Sequence, residues 1–381
     1  MSKLKIGSLF SGYGGLDMGV MNVLDAEVVW HCEWEDAPSA ILAHHWPDVP
    51  NFHDVSKVDW ASVEPVDILT GGFPCQDVSL AGARRGLQEG TRSGLWSEFA
   101  KAIEILKPRL VVIENVRGLL SAGAAVDELE QCAWCVGDSP DEPALRALGA
   151  VLGSLADIGY DAEWCGLRAA DAGAPHGRYR VFITAWPSEY SDSYGDGFES
   201  GGGITRTVTK SQPYRGLGLT TWAERAHEGN LDLLRTPVAG ENDGGVVSPA
   251  MAKAKGQTLR LSGQIIDLVD PGRLPQPLLA MASVDGKGLS GWGQYEPAIR
   301  RWESIINREA PAPTIPDGRD GQQRLSPLLT EWMMGLDEGH ITSPEIGISR
   351  NDQIKAAGNG VVPQQASLAL RYLLKGKTWL L

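Results

Sequence analysis

The sequence predicts an α/β protein in which an open sheet offers a ligand site at the carboxyl ends of its strands, joined to a second, smaller and irregular domain. Three observations carry this reading. Apolar strand-like runs alternate with helical periodicities between Lys3 and Ala185. Glycine-bearing stretches, Ser11 to Gly15 and Gly71-Gly72, follow two of those runs, where backbone can lie close to a ligand. From Trp186 to about residue 323 the texture changes to short segments broken by Gly, Pro, Ser and Thr, with no detectable internal repeat.

Lys3 to Phe10 alternates as a strand, Ser11-Gly12-Tyr13-Gly14-Gly15 is a tight turn, and Leu16, Val20, Val23 and Leu24 recur at helical spacing. That strand, turn and helix bring backbone N–H groups and a helix N-terminus to a ligand. Ala26 to Cys32 is a second, β-branched strand that ends in Glu33-Trp34. A carboxylate there can bind ribose hydroxyls, and the indole can stack on adenine. A third strand-like piece, Phe52-His53, ends at Asp54, placed to meet the adenine amino group. Val66 to Leu69 is a buried strand leading into Gly71-Gly72-Phe73-Pro74-Cys75-Gln76, which sets a thiol at the carboxyl end of a strand.

Residues 81 to 94 form a long Gly- and Arg-rich loop beside Cys75. Leu95, Phe99, Ala102, Ile103 and Leu106 make one helical face, and Arg109 to Ile113 is a buried strand closed by Glu114-Asn115-Val116. Glu114 then shares a rim with Cys75 if the two strands are parallel. Residues 121–143 read as an insertion, followed by a helix bearing Leu145, Leu148, Leu152, Leu155 and Ile158. Two more strands, Tyr160 to Leu167 and Tyr179 to Ala185, flank Gly173-Ala174-Pro175-His176-Gly177-Arg178-Tyr179-Arg180. Order returns with a helix over Pro297 to Ile306, a patterned stretch from Gln323 to Leu336, a turn at Gly358-Asn359-Gly360 and a terminal helix through Leu368 and Leu373.

Composition excludes some classes. Five cysteines, few and odd in number, argue against a disulfide framework and for a reducing compartment. Cys132 and Cys135 have the spacing of half a zinc site, but no second pair or nearby His completes four ligands, so no metal is expected. No apolar stretch is long enough to span a bilayer and none resembles a signal peptide, which predicts a cytoplasmic protein. A net charge of −14 weighs against a polyanionic partner. That excess is uneven: residues 1–186 hold 14 Lys and Arg against 26 Asp and Glu, and residues 187–381 hold 20 against 22. Any basic face must be local.

Six stretches, in order, resemble the motifs of the DNA (cytosine-5) methyltransferases: Phe10 to Leu16, Glu33-Trp34, Gly71 to Gln76, Glu114-Asn115-Val116, Pro175 to Arg180 and Gly358 to Val361, with a weaker likeness at Arg324 to Gly335. The resemblance implies a doubly wound, Rossmann-like sheet that binds S-adenosylmethionine, formed by residues 1–186 plus 338–381, and a target-recognition domain over residues 187–337. It implies a cofactor site lined by Phe10, Gly12, Gly14, Leu16, Glu33, Trp34, Asp54, Val55, Asn359 and Val361. Cys75, Glu114, Arg178 and Arg180 would hold and activate the cytosine. His176 departs from the family, which usually has Gln there.

These residue types suit that chemistry. Cys75 would add to carbon 6 of the ring, Glu114 would stabilise charge at ring nitrogen N3, Arg180 would bond the ring oxygen, and Arg178 would hold phosphate or shape the pocket. The implied partner is double-stranded DNA, with the base flipped out under the loop at residues 81–94. Arg206, Lys210, Arg215, Arg225 and Arg260 are candidates for touching DNA. The resemblance also admits a cognate restriction endonuclease, and the chain is expected to be a monomer. Alternatives are methylation of transfer RNA by the same chemistry, or a catalytically inactive DNA-binding module. Intact Cys75, Glu114 and both arginines speak against the inactive module.

Overall fold

The structure, a computed structural model, describes residues 2–73, 94–120, 147–192, 232–238, 260–262, 264–265, 283–285, 288–290, 292–318 and 322–377. Cys75, residues 81–93, Cys132, Cys135, Arg206, Lys210, Arg215 and Arg225 lie outside the described residues.

In chain order the first half builds β1 (Leu4–Leu9), α1 (Gly15–Met21), β2 (Ala26–Cys32), α2 (Asp36–His45), β3 (Ile68–Gly71), α3 (Gly94–Leu106), β4 (Leu110–Val116), α4 (Ala147–Asp157), β5 (Tyr160–Arg168), β6 (Tyr179–Pro187) and α5 (Ser188–Asp192). The described remainder contains β7 (Ser283–Asp285), β8 (Gly288–Ser290), α6 (Glu296–Ile306), β9 (Thr314–Ile315), β10 (Arg324–Leu325), α7 (Pro327–Met333), α8 (Arg350–Asn359) and α9 (Pro363–Leu373).

Six strands form one sheet in the order β2-β1-β3-β4-β6-β5. β2, β1, β3 and β4 pair in parallel, and β6 runs antiparallel between β4 and β5. The parallel β3–β4 pair puts Gly71 and Ile113 side by side, so the chain leaving β3 and the end of β4 share a rim. Strand order reverses around β1, which lies between β2 and β3 and creates the crevice where open α/β sheets bind ligands.

Period-two alternation sends successive side chains to opposite faces of the sheet. On β4, Val111 and Ile113 join a core with Phe99 and Ile103 of α3 and Leu155 of α4. Leu110 and Val112 face the other way, into a core with Leu16 and Val20 of α1 and Leu370 and Leu373 of α9. The sheet is therefore covered on both faces, and the terminal helix returns to it. A third core gathers Trp302 of α6, Trp332 and Met333 of α7, and Ala357 of α8 around Tyr13 and Ile41.

Three local expectations need correction. Phe52 to Asp54 is no strand, since Asn51 makes one isolated parallel bridge to His31 and Asp54 caps a 3-10 turn at Val55–Lys57. β4 continues through Glu114, Asn115 and Val116 instead of closing before them, because β6 pairs with all three. Gly358 and Asn359 end helix α8 and do not form a free turn. That helix was hidden because Ile354, Ala356 and Ala357 are a thin apolar face, and its start is marked by Ser349, whose hydroxyl accepts from the Asp352 N–H. Helix α2 was likewise unanticipated, although Pro38 in its first turn and His44 and His45 in its last suit helix ends.

Among the described residues no helix is long and apolar enough to cross a membrane, and no group of His, Cys, Asp or Glu is arranged to hold a metal ion.

Candidate active site

The crevice at the ends of β1 and β2 is a backbone construction. Phe10, Gly12 and Gly14 all have left-handed φ, at 53°, 56° and 84°. At Gly14 this matters twice, since a Cβ would be strained and would lie 2.8 Å from the Trp46 ring. A Cβ on Gly12 would meet nothing within 4 Å, so the outer side of the turn is open. The Gly12 N–H donates to Glu33 Oε2 at 2.8 Å, and the Glu35 N–H donates to Glu33 Oε1 at 2.8 Å. Glu33 thus ties the two loops together. Burial holds its carboxyl above the usual range, against the pull of those N–H groups.

Beside Glu33, Trp34 is 67% exposed. Asn51, which the sequence reading passed over, sets this corner. Its Oδ1 accepts from the Glu33 and His53 N–H groups at 2.9 and 3.1 Å, and its Nδ2 donates to the Glu33 carbonyl at 3.2 Å and Ser39 Oγ at 3.0 Å. Asp54 is engaged locally. Its Oδ1 accepts from the Ser56 hydroxyl and N–H, its Oδ2 lies 3.1 Å from Lys57, and the Ser56 bond leads in lowering its carboxyl.

The remaining candidates for this site divide. Val55 is buried, and Phe10 packs against Phe99 with ring centroids 6.3 Å apart. Leu16 and Val361 are buried in the core beside the turn. Asn359 is exposed at the end of α8. The connection from α8 to α9 is clamped to the turn by Tyr13, whose hydroxyl donates to the Val361 carbonyl at 2.7 Å, and a Cβ on Gly360 would fall 1.8 Å from that ring. Under the turn, the buried Asp17 accepts from Ser8 Oγ at 2.7 Å and Thr70 Oγ1 at 2.5 Å, joining α1, β1 and β3. Burial raises its carboxyl to about 6. A lone Asp in an apolar helix and a Thr in an apolar strand were the only sequence signs of this pairing.

Two strands away the rim is made of side-chain charge. Glu114 is buried on β4, its Oε1 2.5 Å from Arg180 Nε. A Cβ on Gly72 would lie 3.1 Å from Glu114 Oε2, which brings the end of β3 against this carboxyl. Burial raises the Glu114 carboxyl despite the neighbouring Arg180 and Arg178. Asn115 Nδ2 donates to the Phe73 carbonyl at 2.9 Å, anchoring the chain just before Pro74. Arg180 also donates to the Tyr179 carbonyl at 2.9 Å.

Arg178 departs from one expectation. It is 3% exposed, and its guanidinium donates to the Gly358 carbonyl at 3.0 Å, the Gly360 carbonyl at 2.5 Å and the Pro237 carbonyl at 3.5 Å. Burial lowers it to about 9. Its two terminal amino groups are thus engaged by backbone and fasten the start of β6 to the end of α8. His176 has a comparable place: its Nε2 donates to the Met333 carbonyl at 3.1 Å, and burial lowers the imidazole to about 3 and keeps it neutral. Gln365 of α9 donates to the Leu167 and Arg178 carbonyls at 2.9 and 3.0 Å and holds the same strand from the other side. Cys32 and Cys165 are free and buried, and burial pushes both thiols up to about 12, so neither supplies thiolate near neutral pH.

A family model described as C-5 cytosine-specific DNA methylase matches residues 4–212. The Type II methyltransferase M.NlaIV of Neisseria lactamica is 30% identical over 189 residues, 48% of this chain and 41% of that protein. The orphan methyltransferase M.Rho11sI of Bacillus phage rho11s is 30% identical over 186 residues, 48% of this chain and 33% of that protein. The matched stretches thus span less than half the length of these relatives. The crystal structure of S. pombe Dnmt2 methyltransferase shares the fold at 12% identity, with a TM-score of 0.53 over 99% of this chain and 100% of that one.

Proposed function

The chain belongs to the family of C-5 cytosine-specific DNA methylases, and from this premise we propose that it transfers a methyl group from S-adenosylmethionine to carbon 5 of a cytosine in duplex DNA. The observation that carries the reading is the buried Glu114, paired with Arg180 and close against Gly72, which precedes Cys75 by three positions in the sequence. A buried acid paired with a cation at the end of the strand beside β3, with Cys75 following β3 in the sequence, fits covalent activation of a pyrimidine and has no use in a simple binder.

The cofactor site fits an adenosine. Glu33 offers acceptor lone pairs toward ribose hydroxyls while its two N–H bonds hold it in place, exposed Trp34 offers a stacking face, and the open side of Gly12 leaves room for the tail. When bound, the cofactor supplies an electrophilic methyl group on a sulfonium sulfur. The protein's part is to make carbon 5 nucleophilic. Cys75 thiolate adds to carbon 6, Glu114 gives a proton toward N3, and the ring becomes an enamine. Burial favours the protonated Glu114 needed for that donation. Arg180 holds the carboxyl and faces the ring oxygen. After methyl transfer, loss of the carbon 5 proton expels Cys75.

A base in duplex DNA must be flipped out to reach Cys75, with residues 81–94 as its cover. Residues 187–337, including Arg206, Lys210, Arg215, Arg225 and the exposed Arg260, choose the sequence around it.

The test is a suicide substrate. Duplex DNA with 5-fluorocytosine at the target position should give a denaturant-stable adduct that requires S-adenosylmethionine and maps to Cys75, because fluorine cannot leave as a cation. Cys75→Ser should abolish it. An adduct on another cysteine, or methylation without any adduct, would overturn the mechanism. Trapping on 5-fluorocytosine transfer RNA and not on duplex DNA would move the substrate to RNA.

A further inference from the structure

An acidic chain that binds DNA must place cations where the backbone runs, yet neither arginine of the Arg178-Tyr179-Arg180 segment is free to do so. Arg178 is buried against carbonyls, and Arg180 is paired with Glu114. Arg117 is different. It is exposed immediately after β4, three positions beyond Glu114 on the same rim. Its guanidinium carbon stands 5.7 Å from the centre of the Tyr179 ring, and among the described residues it forms no ion pair with a carboxylate. A π face orients a guanidinium without neutralising it. Among the described residues, therefore, no carboxylate competes with an anion for this charge, at the point where Val116 and Arg180 face each other across the β4–β6 ladder.

We propose that Arg117 is a phosphate contact for the DNA strand that carries the target base. Tyr179 positions it: the ring is half-buried at the start of β6, packed so closely on Gly166 that a Cβ there would fall 1.9 Å from the Tyr179 hydroxyl. The ring is thereby seated against β5. A planar fork fixed over that platform presents paired N–H donors to phosphate oxygens, where a flexible point charge would not. The proposal rests on duplex DNA being the substrate, and it supplies a local cation in a half of the chain that carries 26 acidic against 14 basic residues.

Each phosphate neutralised contributes about 0.9 to the slope of log affinity against log salt. Binding of a mixed-sequence DNA duplex is measured across salt concentrations for the full chain, Arg117→Gln, Arg117→Lys, Tyr179→Phe and Lys5→Gln. Lys5 is an exposed cation already paired with Glu64 at 2.7 Å, at the opposite end of β1 from the crevice. Arg117→Gln should lower the slope by about 1 and weaken binding roughly tenfold at moderate salt. Arg117→Lys should keep the slope, Tyr179→Phe should match the parent, and Lys5→Gln should change neither quantity. Calorimetry with S-adenosylmethionine should show parental cofactor affinity for Arg117→Gln, and Arg117→Ala replaces it if that affinity is lost. A slope unchanged in Arg117→Gln overturns the proposal. If the parent itself binds no duplex, it is the DNA reading that falls.

Discussion

At the ends of β1 and β2 the protein holds its crevice with backbone. Left-handed residues turn the chain and a carboxylate accepts two N–H groups, with Glu35 and Lys355 paired beside it at 2.8 Å. At the ends of β3, β4 and β6, two strands away, the protein packs Glu114, Arg178 and Arg180 together and fixes them with side-chain bonds. The first arrangement recognises a shape and leaves it unchanged. The second holds an acid whose proton can move, because burial and two cations pull its carboxyl in opposite directions. On the proposed function, binding and reactivity are separated along one rim, and substitutions should separate them too.

The largest expected effect is at the charged end. Glu114→Gln keeps the shape but removes the transferable proton, and should lower kcat by about 10²- to 10⁴-fold. Cofactor affinity by calorimetry should stay within about twofold of the parent. If cofactor binding fell in step with kcat, the two ends would not be independent.

A second test contrasts the buried carboxyls. Glu114 has guanidinium neighbours, whereas Asp17 has only the Ser8 and Thr70 hydroxyls and is raised from 3.8 to about 6. A carboxyl raised in the folded state binds its proton more tightly there. It therefore contributes stability that is full below about pH 4 and is lost as pH rises through about 6, up to ~3 kcal/mol in all. Measured by urea midpoints from pH 4 to 7, the parent should lose stability relative to Asp17→Asn over that window. Parallel profiles would show that Asp17 does not titrate as the burial implies.

The smallest effect concerns the backbone-built end. Glu33→Ala frees the Gly12 and Glu35 N–H groups, and should weaken S-adenosylmethionine binding by roughly tenfold, since a hydrogen bond to a charged group is worth about 1.5–3 kcal/mol. Cys75→Ala should bind the cofactor as the parent does. Equal affinity in both variants would place the adenosine elsewhere.

Much of this was legible in the chain, and what was not has a common cause. The strands that alternate or run apolar, β1, β2, β4, β5 and β6, were each anticipated to within three residues. Helices α2 and α8 were missed because their buried faces are thin: Pro38, Ile41 and Leu42 in one, and Ile354 with small residues in the other. Glu33 and Glu114 could be found because they end apolar runs. Asn51 and Asp17 could not, since their partners lie up to 18 and 53 positions away in sequence.

The sequence by itself determined that the protein is α/β, where the strands of its main sheet run to within a few residues, and which acid, thiol and arginines belong to one family pattern, because periodicity and motif spacing are local properties of a chain. Only the tertiary structure decided what each charged group is free to do. Arg178 and Arg180 sit two residues apart in the same motif, yet one is enclosed by the carbonyls of Pro237, Gly358 and Gly360 and the other faces Glu114. Burial and partnership set a side chain's charge and reach, and both are fixed by segments distant in sequence that packing brings together.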